Sequence, residues 1–202
     1  MAYEFTVDWF THYWPSWVDL IGDREIRFAL EIGSFEGLSA CTMIEHFGAK
    51  SDFHLFCIDT WAGSVEHGKF DAIATECRFD SNTNKATSAT PFRTTVTKLK
   101  GFSNDHLFSL ISQGRRATFD LVYVDGSHRA CDVLLDIILA YELTHIGGLI
   151  FCDDYLWTME NHGAEDLLNC PRLAIDAFKN IFARKIVQMS GPAYQCYFEK
   201  TG

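Results

Sequence analysis

Two kinds of apolar pattern alternate along the chain. Short continuous apolar runs bounded by glycine or aspartate are typical of the buried strands of a parallel sheet. Five such segments are found: 27–33, 53–59, 93–98, 119–125 and 149–152, and the third of them is rich in β-branched residues. Two further strand-like runs, 185–189 and 194–199, are joined by Ser190-Gly-Pro192 and predict an antiparallel hairpin.

Helical periodicity fills the segments between these strands. Apolar residues recur at helical spacing in four places after the first strand: from Leu38 onward, over 104–111, over 129–142 and after Pro171. The Ile146-Gly147-Gly148 stretch is expected to end the third of these helices and turn the chain into the next strand. Alternating strands and helices predict one α/β domain over 1–202, with a mostly parallel sheet between two layers of helices.

Two segments stand outside this alternation. Residues 1–22 are rich in aromatic side chains and predict a short helix docked on the core; the alternatives are a lid, or a contact between subunits of a homo-oligomer. Residues 60–92 carry no strand pattern. They are interpreted as an insertion, with a helical stretch near 67–79, that shapes a binding site.

Composition narrows the class of protein. The 202 residues are 48% hydrophobic and 22% charged, which is ordinary for a globular domain, and the net charge is −10. So acidic a chain argues against nucleic acid or an anionic membrane as partner. No apolar run approaches the roughly 18 residues of a membrane span, and the start lacks the pattern of a signal peptide. The seven cysteines include no C-x-x-C pair, which excludes the common zinc spacings. Most of them lie inside apolar runs, which indicates small buried side chains in a reduced, cytoplasmic protein.

Polar residues follow the strand ends, where ligands of such sheets bind. Gly33 and Gly37 flank a tight turn after the first strand; their spacing fits a cofactor loop about as well as a structural turn. Asp59, after the second strand, is placed to accept both hydroxyls of a ribose, although a helix cap or a turn aspartate is the alternative. Together these residues favour a nucleoside cofactor.

Three carboxylates follow the next strands. Asp125 ends the fourth strand, and Asp153 and Asp154 end the fifth, so all three are expected at one edge of the sheet. Like charges repel unless a cation compensates them, and Mg²⁺ prefers oxygen ligands; the alternative is that one or two of them cap helices. His128, three residues past Asp125, is a candidate general base because its pKa is ordinarily near neutrality.

The motifs resemble those of a known family. Glu31-Ile-Gly-Ser-Phe-Glu-Gly37 is similar to the first motif of class I S-adenosylmethionine-dependent methyltransferases. The blocks VDGSH, ending at His128, and DDY, ending at Tyr155, resemble the subgroup of macrolide-sugar O-methyltransferases that contains macrocin O-methyltransferase, and Asp59-Thr-Trp-Ala-Gly-Ser64 also fits it. The resemblance covers roughly residues 27–199.

The resemblance implies a Rossmann-like, seven-stranded sheet with an antiparallel last strand. It implies His128 and Asp125 as catalytic residues, and Asp125, Asp153 and Asp154 around Mg²⁺. The cofactor-binding residues that it implies run from the first motif to the fourth strand: Glu31, Gly33, Ser34, Gly37, Asp59, Thr60, Gly101, Phe102, Ser103, Asp125 and Ser127.

The function expected is metal-assisted methylation of a hydroxyl on a small-molecule acceptor, with a sugar or glycoside as the tendency of the subgroup. Coordination lowers the pKa of an alcohol, and His128 then accepts its proton. Two alternatives stay open: metal-independent methyl transfer to another acceptor, and a non-catalytic nucleoside-binding domain. A nicotinamide dehydrogenase is disfavoured because G-x-G-x-x-G is absent.

Overall fold

The computed structural model describes residues 2–63, 71–161 and 163–202. Six helices alternate with the strands: α1 Trp14–Ile21, α2 Leu38–Gly48, α3 Ala72–Ala89, α4 Ser103–Ser112, α5 Ala130–Leu143 and α6 Pro171–Ile181. Seven strands form one sheet: β1 Phe28–Ile32, β2 Phe53–Asp59, β3 Thr94–Lys100, β4 Phe119–Val124, β5 Thr144–Cys152, β6 Ile186–Met189 and β7 Cys196–Lys200.

The sheet has the strand order β3-β2-β1-β4-β5-β7-β6. Its first five strands are parallel, while β7 runs antiparallel to both β5 and β6. Alternate residues of β1 enter different cores, since Leu30 and Ile32 join one buried cluster and Ala29 joins the other. Helices α4, α5 and α6 supply the first cluster, and α1, α2 and α3 supply the second. The predicted three-layer Rossmann-like fold, including its closing hairpin, is confirmed.

The aromatic N-terminal segment is helical only from Trp14, although a helical segment was expected over 1–22. Trp17 is fully buried, with its ring edge-on to those of Tyr123 and Phe151, both at 4.8 Å. Its Nε1–H donates to Oε1 of Gln195 at 2.9 Å, which gives the indole the polar partner that a buried Trp needs. Helix α1 is therefore docked on the core.

Two boundaries differ from the sequence prediction. Helix α5 already ends at Leu143, and β5 begins at Thr144 rather than at 149, so Gly147 and Gly148 lie inside the strand and do not end the helix. The register against β4 shifts there, from Phe119↔Thr144 to Leu121↔Leu149. A bulge absorbs the extra residues, which is a common position for glycine in a strand.

The second difference concerns the insertion. Helix α3 covers Ala72–Ala89, later and longer than the predicted 67–79, and residues 64–70 lie outside the described ranges. Asp71 begins the helix because its side chain accepts hydrogen bonds from the backbone N–H groups of Ile73 and Ala74.

All seven cysteines lie within the described ranges; five are buried, and Cys77 and Cys131 are exposed. None of the helices that the structure describes is both long enough and apolar enough to cross a bilayer.

Candidate active site

One large cavity lies at the carboxyl ends of the parallel strands. Its volume is about 1,210 Å³. Many of the residues predicted from the sequence line it: Gly33, Asp59, Thr60, Gly101, Phe102, Ser103, Asp125, Ser127, His128, Asp153 and Asp154. The sheet topology therefore brings together side chains that are up to 121 positions apart in the chain, from Gly33 to Asp154.

The centre of the cavity floor is the junction of β1 and β4, where the backbones are in contact. A Cβ atom on Gly33 would overlap the carbonyl oxygen of Asp125, and Gly33 has a φ of +89°, a region that favours glycine. The N–H of Asp125 donates to Ile32 O at 2.8 Å, and that of Gly33 donates to Ile58 O at 2.8 Å. Position 33 therefore requires glycine for two reasons: the backbone of Asp125 approaches it closely, and its φ is positive.

Asp59 holds the loop that follows β1. Its Oδ2 accepts hydrogen bonds from the N–H groups of Ser34 at 2.9 Å and Phe35 at 2.8 Å, and its Oδ1 accepts from Trp61 N–H at 2.7 Å. A carboxylate has about four acceptor positions, so these three bonds leave one of them free. Asp59 is thus a turn aspartate, as one alternative expected, and its part in binding a ribose stays a prediction.

Three of the predicted cofactor-binding residues do not line the cavity. Glu31 is fully buried under the loop, where its carboxylate accepts from the hydroxyls of Ser34, at 2.5 Å, and Ser39. Burial raises the pKa of Glu31 to about 7. Gly37 precedes α2 with a φ of +82°, and a Cβ atom at this position would lie 3.0 Å from the ring of Phe79. Glu31, Ser34 and Gly37 belong to the loop beside the cavity, and their part in cofactor binding stays a prediction.

The three strand-end carboxylates have different surroundings. Asp153 is held from the protein side: Tyr123 OH and Gln195 Nε2 both donate to its Oδ2, the latter at 2.7 Å. Tyr123 OH also lies 3.1 Å from Oδ2 of Asp125. Burial, followed by the charge of Asp154, raises the pKa of Asp153 to about 6. Burial and the charges of both neighbours likewise hold the pKa of Asp125 well above its usual range.

His128 pairs with the remaining carboxylate. Its Nε2 lies 2.7 Å from Oδ2 of Asp154, and its ring is stacked on Trp157, with the centroids 3.9 Å apart. Asp154 has a φ of +58°, an uncommon backbone conformation for a residue other than glycine. This pair has the arrangement of a general base held by a carboxylate.

The carboxylates suit a divalent cation by their chemistry, since oxygen donors that repel each other are stabilised by one. Their placement is a different matter. Within the described residues, no group of three or more His, Cys, Asp or Glu side chains is arranged so that it could hold a metal ion. Tyr123 lies against Asp125 and Asp153, while Asp154 is turned to His128. Carboxylate oxygens are the ligands that Mg²⁺ prefers, so the chemistry of Asp125, Asp153 and Asp154 fits this ion. That these three residues bind it stays a prediction.

Several residues of the site were not found by sequence reasoning. Gln195 and Tyr123 hold Asp153 by hydrogen bonds from the protein side, and aromatic side chains from four separate segments form the walls of the cavity. These wall residues, with a buried carboxylate beside them, are Trp9, His12, Tyr13, Trp61, Asp136, Trp157 and Tyr194. Two signals were available: the aromatic composition of residues 1–22, and the position of Trp61 in the 60–92 insertion. A hydrophobic pattern does not tell which of those rings face the core and which face a cavity.

The fold and the site define a class of protein: a Rossmann-like α/β domain with one cleft that combines a glycine loop, a strand-end carboxylate and a histidine–carboxylate pair. A family model described as "Methyltransferase domain" matches residues 30–155. The chain belongs to this methyltransferase family, which confirms the resemblance to class I S-adenosylmethionine-dependent methyltransferases.

Solved structures share the fold at low sequence identity. The O-methyltransferase from Bacillus cereus in complex with SAH is 16% identical, with a TM-score of 0.62 over 96% of this chain and 84% of that one. The O-methyltransferase NovP is 17% identical, with a TM-score of 0.61 over 91% and 76%. MycE, from the mycinamycin biosynthetic pathway and in complex with Mg and SAH, is 17% identical, with a TM-score of 0.57 over 98% and 51%. No functionally curated protein matches the sequence significantly.

Proposed function

We propose that this protein transfers a methyl group from S-adenosylmethionine to a hydroxyl oxygen of a small-molecule acceptor. The observation that carries this proposal is the single cavity that joins a nucleoside-type site to a general base. At about 1,210 Å³ it exceeds the roughly 300–1,000 Å³ typical of a site for one small ligand, so it has room for donor and acceptor together.

Different residues of the cleft take different parts in the proposed reaction. Asp59 and the loop at Gly33 bind the nucleoside end of the donor. His128, oriented by Asp154, accepts the hydroxyl proton as the oxygen attacks the sulfonium methyl. The carboxylates near the reacting centre also favour the cationic donor over its neutral product. What the enzyme adds is chiefly orientation, because the sulfonium methyl is already activated.

Mg²⁺ is part of the proposal at the strand-end carboxylates Asp125, Asp153 and Asp154. Bound there, it would lower the pKa of the acceptor hydroxyl and neutralise the acidic cluster. The raised pKa values of Asp125 and Asp153, which come from burial and mutual repulsion, support a cation at this position. A structural neighbour, MycE, was solved with Mg and SAH.

A second candidate is metal-independent methyl transfer, and a specific observation favours it. His128 and Asp154 already form a histidine–carboxylate pair, which could remove a proton from an acidic hydroxyl without a metal. A phenol or an enol would suit that reaction better than a sugar alcohol, because its pKa is lower.

The residues around the reacting centre suggest where the acceptor binds. Tyr13, Trp157 and Tyr194 line the cavity on the side of the carboxylates, and Trp61 and Ala72 bring part of the 60–92 insertion to the same cavity. Aromatic rings are suitable surfaces for a sugar face or a flat ring. The acceptor in the proposal is therefore a small hydroxylated ring, with a sugar or glycoside first.

The test is a methyl-transfer screen with labelled S-adenosylmethionine. Sugars, glycosides and phenols are assayed with Mg²⁺ and with chelator, beside amines and carboxylic acids of similar size. The proposal expects label on a hydroxyl compound and binding of S-adenosylhomocysteine by calorimetry. Absence of binding for either nucleoside at millimolar concentration would overturn it. Binding with label only on nitrogen or a carboxylate would overturn the choice of acceptor alone.

A further inference from the structure

The candidate base His128 comes from a loop, and its ring is held by residues outside that loop. It lies between the end of β4 at Val124 and the start of α5 at Ala130, so no helix or strand fixes its direction. Its side chain is nevertheless only 14% exposed. A reacting group has to be held within about half an ångström of its productive position, and a loop by itself is less precise than a helix or a strand.

Two different contacts hold this ring, one at its edge and one on its face. At the edge, Nε2 of His128 lies 2.7 Å from Oδ2 of Asp154. On the face, the indole of Trp157 is stacked with the ring centroids 3.9 Å apart and the ring planes 23° from parallel. A hydrogen bond at one atom fixes that atom but lets the ring tilt around it, whereas a stacked ring fixes the plane. The indole therefore supplies a restraint that the carboxylate alone does not.

Both contacts come from one turn after β5, and the backbone of that turn is itself fixed. The N–H of Trp157 donates to Asp154 O at 3.0 Å and closes the turn. Between these two residues, Tyr155 N–H donates to Tyr194 O at 2.9 Å, and Tyr155 OH donates to Oδ1 of Asp176 at 3.1 Å. The turn is thus tied to the connection between β6 and β7 and to α6, so the indole approaches the imidazole from a fixed position.

We infer that Trp157 is a positioning residue for the base: its indole fixes the plane of the His128 ring, so that the ring nitrogen that accepts the proton faces the acceptor hydroxyl. This inference rests on the proposed function. Trp157 also lines the cavity, so the competing role is that of a surface on which the acceptor ring binds. The two roles differ in what they depend on. A positioning residue matters only while His128 is present, whereas a binding surface matters whichever residue stands at position 128.

The test is a double-mutant cycle on methyl transfer to a hydroxyl compound that the screen identifies, with Trp157 replaced in wild type and in His128→Ala. In wild type, Trp157→Leu should lower kcat about 10- to 100-fold, the size of effect that a small misplacement of a reacting group produces. The KM for the acceptor and the affinity for S-adenosylhomocysteine should stay nearly unchanged. Trp157→Phe should recover most of kcat, because it restores a flat ring. In His128→Ala, Trp157→Leu should change kcat by no more than about twofold.

Proton NMR gives a second measurement, which needs no acceptor. The ring current of a stacked indole shifts the carbon-bound imidazole protons of His128 upfield, and their signals are assigned by their absence in His128→Ala. Trp157→Leu should move these signals downfield at constant pH, and Trp157→Phe should retain part of the upfield shift. Trp14→Leu is the matched control, since it removes an indole that packs on the imidazole of His46 at 5.2 Å, outside the cavity lining. It should leave kcat and the His128 signals unchanged.

Three results would overturn the inference and leave the proposed function standing. They are an equal loss of kcat from Trp157→Leu in both backgrounds, a rise in the KM for the acceptor at unchanged kcat, and unchanged His128 signals in Trp157→Leu. Failure of wild type to bind S-adenosylhomocysteine would instead overturn the proposed function, and the inference with it. If Trp157→Leu does not fold, as judged by its Tm, Trp157→Met takes its place.

Discussion

Oδ2 of Asp154 lies 2.7 Å from Nε2 of His128, whereas the adjacent carboxylate, Asp153, is bonded to Tyr123 and Gln195 on the protein side. Two neighbouring aspartates thus have different surroundings: one orients the candidate base, and the other is fixed by the core. Asp154 also has a positive φ, of +58°.

The first prediction concerns His128. His128→Ala should lower kcat by about 10²- to 10⁴-fold, the usual contribution of a general base, and leave the affinity for S-adenosylhomocysteine nearly unchanged. Asp154→Asn should also lower kcat, because it removes the orientation of the ring and one of the proposed Mg²⁺ ligands. Steady-state kinetics measure kcat, and calorimetry measures the affinity for S-adenosylhomocysteine.

His145→Ala is the control for this experiment. His145 also pairs with an aspartate, with Nε2 at 2.9 Å from Oδ1 of Asp120, but this pair lies at the opposite end of the strands. Its loss should leave kcat unchanged. A stable His128→Ala enzyme with nearly wild-type kcat at every pH would remove His128 from the mechanism.

The second prediction is dependence on a divalent cation. Chelator should abolish turnover and leave the binding of S-adenosylhomocysteine largely intact, and Asp153→Asn should weaken the response to added Mg²⁺. A protonated carboxylate is a poor ligand, so the raised pKa of Asp153, about 6, predicts weaker Mg²⁺ binding as the pH falls below that value. Full activity in excess chelator would exclude the metal and leave the methyltransferase proposal in place.

Much of this architecture is predictable from sequence because strand ends meet at one edge of a parallel sheet. Gly33, Asp59 and Asp125 could therefore be placed in one cleft from their positions after apolar runs alone. Gln195 could not, because nothing local marks it: its role depends on β7 lying beside β5 and on Trp17 and Tyr197 donating to its Oε1. Long-range pairing of this kind leaves no periodic signal.

The misplaced boundary of β5 has a related cause. Gly147-Gly148 is a common helix-ending signal, but the side chain of Thr144 donates to Ala140 O at 2.7 Å and the helix ends earlier. The glycines are instead used in the bulge against β4. Local composition marks a break in regular structure without telling which kind of break it is.

The third prediction tests the double role of Asp59. Asp59→Ala removes an acceptor for the ribose and frees three backbone N–H groups of the surrounding loops. The variant should lose about 1–3 kcal/mol of binding free energy for S-adenosylhomocysteine, measured by calorimetry. Asp19→Ala, which removes an exposed negative charge from α1, should bind like wild type. Unchanged affinity in Asp59→Ala would assign the residue to the loop alone.

The fourth prediction concerns pH and stability. Because burial raises the pKa of Glu31 from 4.5 to about 7, the folded state binds more protons than the unfolded state between these values. The stability that this group contributes is therefore fully present below about pH 4.5 and is lost as the pH rises through about 7. Glu31→Gln should show a smaller decrease in Tm over this window, while Glu25→Gln, at an exposed position, should follow wild type. An equal decrease in Glu31→Gln would show that Glu31 is not the titrating group.

The fifth prediction separates backbone conformation from backbone contact at the centre of the site. Gly33 and Gly114 have similar positive φ values, +89° and +81°, but a Cβ on Gly114 meets no atom within 4 Å, whereas a Cβ on Gly33 overlaps the carbonyl of Asp125. Gly114→Ala should cost about 1–2 kcal/mol of unfolding free energy, the strain of a left-handed residue. Gly33→Ala should cost clearly more and also weaken the binding of S-adenosylhomocysteine, because β1 and β4 must move apart where the donor binds. Denaturant unfolding and calorimetry measure the two effects. Equal losses of stability in both variants, with donor binding unchanged, would show that the contact between Gly33 and Asp125 does not shape the site.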